Sequence, residues 1–139
     1  MMPNQITRRI GHLVLLRQNT ETPRDEEWDE TLRLLTLSPQ ELESIKVLVM
    51  TDGGGPTPEQ RKRLNRATGG KPLRAAVVSE SVKVRFIVSS VALFMSRVQS
   101  FRLDELEAAF DHLGLLPRER KLATENLGEM SALVAKPQR

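Results

Sequence analysis

Apolar positions along the 139-residue chain alternate between two spacings, one of strands and one of helices. "ITRRI" and "HLVLLRQ" flank Gly11 and predict a hairpin. Leu13 and Leu15 face one side of its second strand and Val14 and Leu16 the other, so that strand is covered on both faces. "TPRDEEWDETLRLL" predicts a helix with Thr22 as N-cap and Pro23 at its first position, where a missing N–H costs nothing. Asp25, Glu26 and Glu27 then meet the positive end of the helix dipole, and Trp28, Leu32 and Leu35 form the inward stripe. "SPQELE" predicts a short helical turn, and "KVLVMTD" a strand buried on both faces.

After Gly53-Gly54-Gly55 a helix is expected from Thr57 or Pro58 to about Ala67, closed by Gly69-Gly70, with only Leu64 and Ala67 turned inward. "LRAAVVSES" is the next strand. The β-branched residues of "SVKVRFIVSSVALFM" favour a strand, but its length, the cap candidates Ser79 and Ser81 and the apolar spacing from Val84 favour a largely buried helix over 82–95. The helix is the reading adopted. "VQSFRL" reads as a short edge strand, and "LDELEAAFDHLG" as a helix with Leu103, Leu106, Ala109, Phe110 and Leu113 inward, stopped at Gly114. Pro117 opens a final amphipathic helix using Leu122, Leu127, Met130 and Leu133, weakened at Gly128 by roughly 1 kcal/mol relative to alanine. Strands alternating with helices imply βαβ units. The expectation is one α/β domain over 1–139, a small mixed sheet of four or five mostly parallel strands with packed helices, and flexible ends at 1–4 and 135–139.

Composition narrows the chemistry. With no cysteine and two histidines, thiolate metal sites, disulfides and a cysteine nucleophile are excluded, and neither histidine sits in an HExxH-type frame. No nucleophile–base pair stands out, so no enzyme activity and no cofactor are expected. No segment approaches the roughly 20 apolar residues of a membrane span, and the polar start lacks a signal-peptide core, so a cytoplasmic protein without membrane insertion is expected. The net charge of +3 hides a segregation: Glu21 to Glu30 holds six carboxylates and one arginine, whereas Arg61 to Arg74 holds six cations and no acid. Either patch is an ordinary solvated face or a steering surface. Nucleic acid is disfavoured as a partner, because no aromatic residue stands among those cations to stack bases.

The stretch "VLVMTDGGGPTPEQRKRL" places a strand end, three glycines and a helix start in succession. It lacks the GKS/GKT of a Walker A loop and the register of a GxGxxG fingerprint. Thr57-Pro58-Glu59-Gln60 fits a capping box, which by itself explains Thr57. The competing readings are an anion cradle at Gly53, Gly54 and Gly55, with Asp52 and Arg85 nearby, and a regulatory hydroxyl at Thr57. Asp52 is expected to tether the loop. Arg85, a misfit on an apolar helix, is expected to snorkel, to pair with Asp52 or Glu80, or to face a ligand. His12 and His112 read as a turn residue and a helix-surface residue. Because the 57–68 helix has so little to bury, Thr57, Arg61, Lys62, Arg63 and Arg66 form a candidate docking face. Its expected partner is a protein with an acidic surface, the acidic helix of a second copy in a homodimer being one candidate.

The order "GHLVLLRQ…EEWDETL…VLVMTDGGGPTPEQRKRL…LRAAVVSES…VRFIVSSVALF…VQSFRLDELEAAFDHLGL" resembles the bacterial STAS-like domains, relatives of the anti-sigma factor antagonists, over nearly the whole chain. The resemblance implies a small mixed sheet with helices packed on it and a non-enzymatic role as an interaction or switch module. In the antagonists a phosphorylatable serine, preceded by an aspartate, opens the helix after the central strand, a place that falls at Thr57. Here Pro56-Thr57-Pro58 stands instead of Asp-Ser-Ser, so the resemblance carries the docking surface over but not kinase regulation. A branch towards lipid-transfer CRAL-TRIO-type domains would imply an apolar pocket, for which a chain this short has little volume.

Overall fold

The computed structural model describes residues 2–92 and 97–136. Five strands lie in chain order across one sheet: β1 (Gln5–Ile10), β2 (Leu13–Gln18), β3 (Lys46–Thr51), β4 (Arg74–Val78) and β5 (Val98–Phe101). β1 runs antiparallel to β2 through the turn at Gly11, and β2, β3, β4 and β5 are mutually parallel. The crossovers carry α1 (Asp25–Leu35), α2 (Pro58–Ala67) and α3 (Val82–Ala92), and α4 (Leu106–Leu113) and α5 (Pro117–Leu133) follow the last strand.

Strand alternation sorts the core into two layers. Leu13, Leu15, Leu48, Ala76 and Val78 pack with Phe110, Leu113, Leu127 and Met130 of α4 and α5. Val14, Leu16 and Val47 face the other way, onto Leu35 of α1 and Leu64 of α2. A strand with both faces covered is largely apolar, and β2 is buried along its whole length. Its two polar residues, Arg17 and Gln18, are therefore hydrogen-bonded.

Several local expectations are corrected. The first helix begins at Asp25 with Arg24 as N-cap, so Thr22 and Pro23 precede it. Glu27 draws the start there, its Oε1 accepting from the Arg24 N–H at 2.8 Å and its Oε2 from the Asn4 N–H at 3.0 Å. On α2, Ala67 is exposed and the buried places belong to Gln60 and, just past the end, Thr68. The 82–95 segment is helical as far as it is described, its residues 93–95 lying outside the described residues, but it is not largely buried. Val82 is 71 % exposed, Phe86 72 % and Ile87 48 %. The reason is its position: α3 lies along the four-residue edge strand β5, too little sheet to cover a helix on more than one side. Leu103 and Leu133 are exposed, while Val134 takes up the burial expected at the latter and Ala123 is buried beside the half-buried Leu122. At the two ends of the chain, Pro3, Asn4 and Ala135 meet each other through the Ala135 N–H on the Pro3 carbonyl at 2.7 Å and the Asn19 side-chain amide, which donates to Asn4 and Ala135 at 3.0 Å each.

Candidate functional site

The carboxyl edge of the parallel strands gathers the motif residues, at the place where open α/β sheets position their working groups. The three glycines between β3 and α2 serve different needs. Gly53 adopts φ +136°, a region side chains rarely enter. Gly54 is pressed against the loop after β2, where an added Cβ would lie 2.1 Å from the Glu21 carbonyl oxygen and 2.7 Å from that of Asn19. At Gly55 a Cβ would meet nothing within 4 Å. Buried Thr51 organises the turn from below: its hydroxyl accepts from the Gly53 N–H at 3.1 Å and donates to the Gly54 carbonyl at 2.7 Å. The Gly54 N–H donates to the Asn19 carbonyl at 2.9 Å. The amides of Gly53, Gly54 and Thr57 are thus committed to acceptors inside the protein.

Thr57 caps α2 in full: its Oγ1 accepts from the Gln60 N–H at 3.1 Å, and Gln60 Oε1 accepts from the Thr57 N–H at 3.0 Å. Gln60 does more than close this box. Its Nε2 donates to the Pro23 carbonyl at 2.9 Å and to Asp25 at 3.2 Å, and its own carbonyl accepts from the Trp28 indole at 2.9 Å. The start of α2 is therefore bolted to α1. Arg63 joins the same seam, ion-paired to Asp29 and 3.9 Å from Asp25, so the acidic and basic helices neutralise each other in part within one chain. Arg61, Lys62 and Arg66 remain exposed, Arg66 lying 3.6 Å from Glu59 on its own helix.

Beside this turn, Asp52 is held by an arginine, but the donor is Arg17 of β2, whose Nη2 reaches both carboxylate oxygens, at 3.0 and 3.1 Å. Arg17 Nε also donates to Ser131 Oγ of α5 at 2.8 Å, which links the turn to the helix on the far face. Arg17, Asp52 and Ser131 line a cleft of about 350 Å³ with Met50, Glu80 and Ser81. Asp52 is the loop tether the sequence suggests. Arg85 pairs with neither Asp52 nor Glu80: the first is held by Arg17, and Glu80 accepts from the Leu103 N–H at 2.9 Å. Among the described residues its buried Nε has no hydrogen-bond partner. Ser79 and Ser81 supply the start of α3, Ser79 Oγ donating to the Thr51 carbonyl at 2.7 Å and Ser81 Oγ accepting from the Val84 N–H at 3.3 Å. Ser81 lies nearest to a Cβ built on Gly53, at 4.0 Å, so α2 and α3 open side by side at the glycine turn.

The sequence placed Thr57, Asp52, Gly53, Gly54 and Gly55 together correctly as neighbours in the chain. It gave no sign of Arg17 or of the reach of Gln60, because their partners lie 35 and 37 residues away. His112 is no surface residue either. Its Nε2 sits 3.0 Å from the Ala75 carbonyl and 3.2 Å from that of Arg97, two acceptors that require it to carry the proton, and its ring lies against Phe101.

A chain with this element order and this mixed sheet has the STAS fold, the fold of SpoIIAA. It is similar to the crystal structure of an uncharacterized DUF3478-family protein with a SpoIIAA-like fold from Shewanella loihica PV-4, with a TM-score of 0.56. That similarity covers 78 % of this chain and 91 % of the other at 13 % identity, a level that shows the fold alone. No family model matches the sequence, and no curated protein matches it. No helix among the described residues is long and apolar enough to cross a membrane.

Proposed function

We propose that this chain is a non-enzymatic protein-interaction module of a bacterial signalling or assembly pathway, docking its partner at the carboxyl edge of the sheet. The observation that carries the reading is the outward face of α3, where Val82, Phe86 and Ile87 are all exposed. A crossover helix in an α/β domain ordinarily spends such residues on its own sheet, and contiguous exposed apolar surface marks contact sites. α3 starts beside the glycine turn, and the same turn leads into α2 with its exposed cations Arg61, Lys62 and Arg66. An apolar centre with a charged rim is the common anatomy of an interface. The rim favours a partner with an acidic surface, whose approach it would accelerate. Thr57 opens α2 at the end of that turn, and its hydroxyl is engaged in the cap.

The test is affinity capture from the source organism with the wild-type chain as bait, followed by titration of the recovered protein. Val82→Asp with Ile87→Asp is expected to lose capture while the thermal midpoint stays within about 2 °C, since exposed positions contribute little to stability. Arg61→Glu with Lys62→Glu is expected to slow association and flatten its salt dependence. Retained binding in the α3 double variant sinks the proposal.

A further inference from the structure

The opposite, amino-terminal edge of the sheet holds a second concavity, a cleft of about 560 Å³ within the size range of small-ligand sites. Three cations cross its floor in one row, because strand register aligns Lys46 with Arg74 and sets Ala75 beside Val98, which brings Arg74 next to Arg97. Like charges on neighbouring strands, roughly 5 Å apart, repel one another unless something answers them. Lys46 is partly answered: its Nζ donates to the Gly114 carbonyl at 3.2 Å and lies 3.8 Å from Glu119. Arg74 uses only Nε, which donates to the His112 carbonyl at 2.9 Å, while its two terminal nitrogens lie over Gly114 without an acceptor among the described residues. Arg97 makes two long bonds, of 3.5 Å to the Pro72 carbonyl and 3.3 Å to the Glu43 carbonyl. Neither arginine has a carboxylate within ion-pair distance among the described residues.

The carboxylates around the cleft do not fill that role. Glu119 accepts from the Leu116 N–H at 2.9 Å in the first turn of α5, and Glu41 is engaged with His12 at 2.6 Å. Glu43 lines the cleft and makes no ion pair among the described residues. The geometry points to a small-anion site here, with Arg74 and Arg97 offering guanidinium forks to a doubly charged oxyanion such as a phosphate group, and Lys46 adding a third positive charge. Arginine forks match the oxygen spacing of phosphate and bind it bidentately. Gly114, at φ +63°, marks where the fork of Arg74 lies: a Cβ built there would be in ordinary contact, at 3.7 Å, with both of its terminal nitrogens.

The experiment is a titration of the full chain with inorganic phosphate, and separately with phenyl phosphate, at constant ionic strength, followed by amide chemical shifts. Saturable shifts at Lys46, Arg74, Arg97 and Gly114 are expected, and the ester binding at least as tightly as free phosphate would mark a ligand-borne group as the natural occupant. Arg97→Gln removes a charge held only by long bonds and is expected to weaken binding roughly tenfold. Glu43→Gln removes the unpaired carboxylate and is expected to tighten binding about three- to fivefold, a gain that damage to the fold cannot mimic. Shifts that track chloride equally well, or that appear at Gly53 to Thr57 instead, overturn the inference. So does an Arg97→Gln variant that binds phosphate as well as the wild type.

Discussion

Replacing Gly54 and Gly55 by alanine, one at a time, separates two adjacent glycines that look equivalent in the sequence. At Gly54 the new methyl would stand 2.1 Å from one backbone carbonyl oxygen and 2.7 Å from another, and neither can swing aside as a side chain would. Relief requires the turn to move off the 19–21 loop. Overpacking of that kind costs roughly 1–3 kcal/mol. The movement would also break the Gly54 N–H bond to Asn19 and the Thr51 hydroxyl bond to the Gly54 carbonyl, at about 1 kcal/mol each. The sum is about 3–5 kcal/mol, or a fall of roughly 10 °C or more in the thermal midpoint. Gly55 has open space and ordinary φ, and it precedes Pro56, a place that favours the extended backbone alanine accepts. Gly55→Ala is therefore expected to be neutral or to stabilise by about 0.4–1 kcal/mol through the unfolded state. Urea unfolding followed by the fluorescence of Trp28, the single tryptophan and buried at the α1–α2 seam, measures both. Equal midpoints for the two variants would refute the close-approach argument.

Thr57→Ala is expected to cost about 1 kcal/mol through the lost cap and Thr57→Ser almost nothing, as read by the same unfolding curves. Arg63→Glu should destabilise the fold measurably at low salt, by putting a carboxylate against Asp29 and Asp25, whereas Arg61→Glu should not; a salt series of melting curves distinguishes them. Arg17→Met strips Asp52 and Ser131 of their shared donor and is expected to cost about 1–3 kcal/mol, more than Asp52→Asn, because Arg17 is the more deeply buried partner. The Glu30 carboxyl is held below its ordinary value chiefly by the hydrogen bond from Arg33. A lowered folded value means that this pair's small contribution is complete above the ordinary carboxylate range and lost as pH falls through the lowered value. Arg33→Ala should return the titration of Glu30, followed by NMR, to the ordinary range.

What the sequence determined by itself is what short-range physics controls. The hairpin through Gly11, the doubly buried β2, the order of strands and crossover helices, and the Thr57–Gln60 box all depend on bonds or periodicities spanning a few residues. Their pattern is written where they act. The turn glycines were visible as a motif, but their reasons were not: the space that forbids a side chain at Gly54 is filled by residues 19 and 21, brought there only when β2 and β3 pair. The same holds for Arg17, which meets Ser131 across 114 residues, and for Arg63, whose charge looked free until α1 came to rest beside α2. The burial of α3 is not legible in the sequence for a related reason. Apolar spacing states which face of a helix prefers cover, while the amount of sheet available beneath it is a property of the whole assembly, and at β5 the sheet ends after one short strand. The tertiary structure alone decided that Val82, Phe86 and Ile87 face outward.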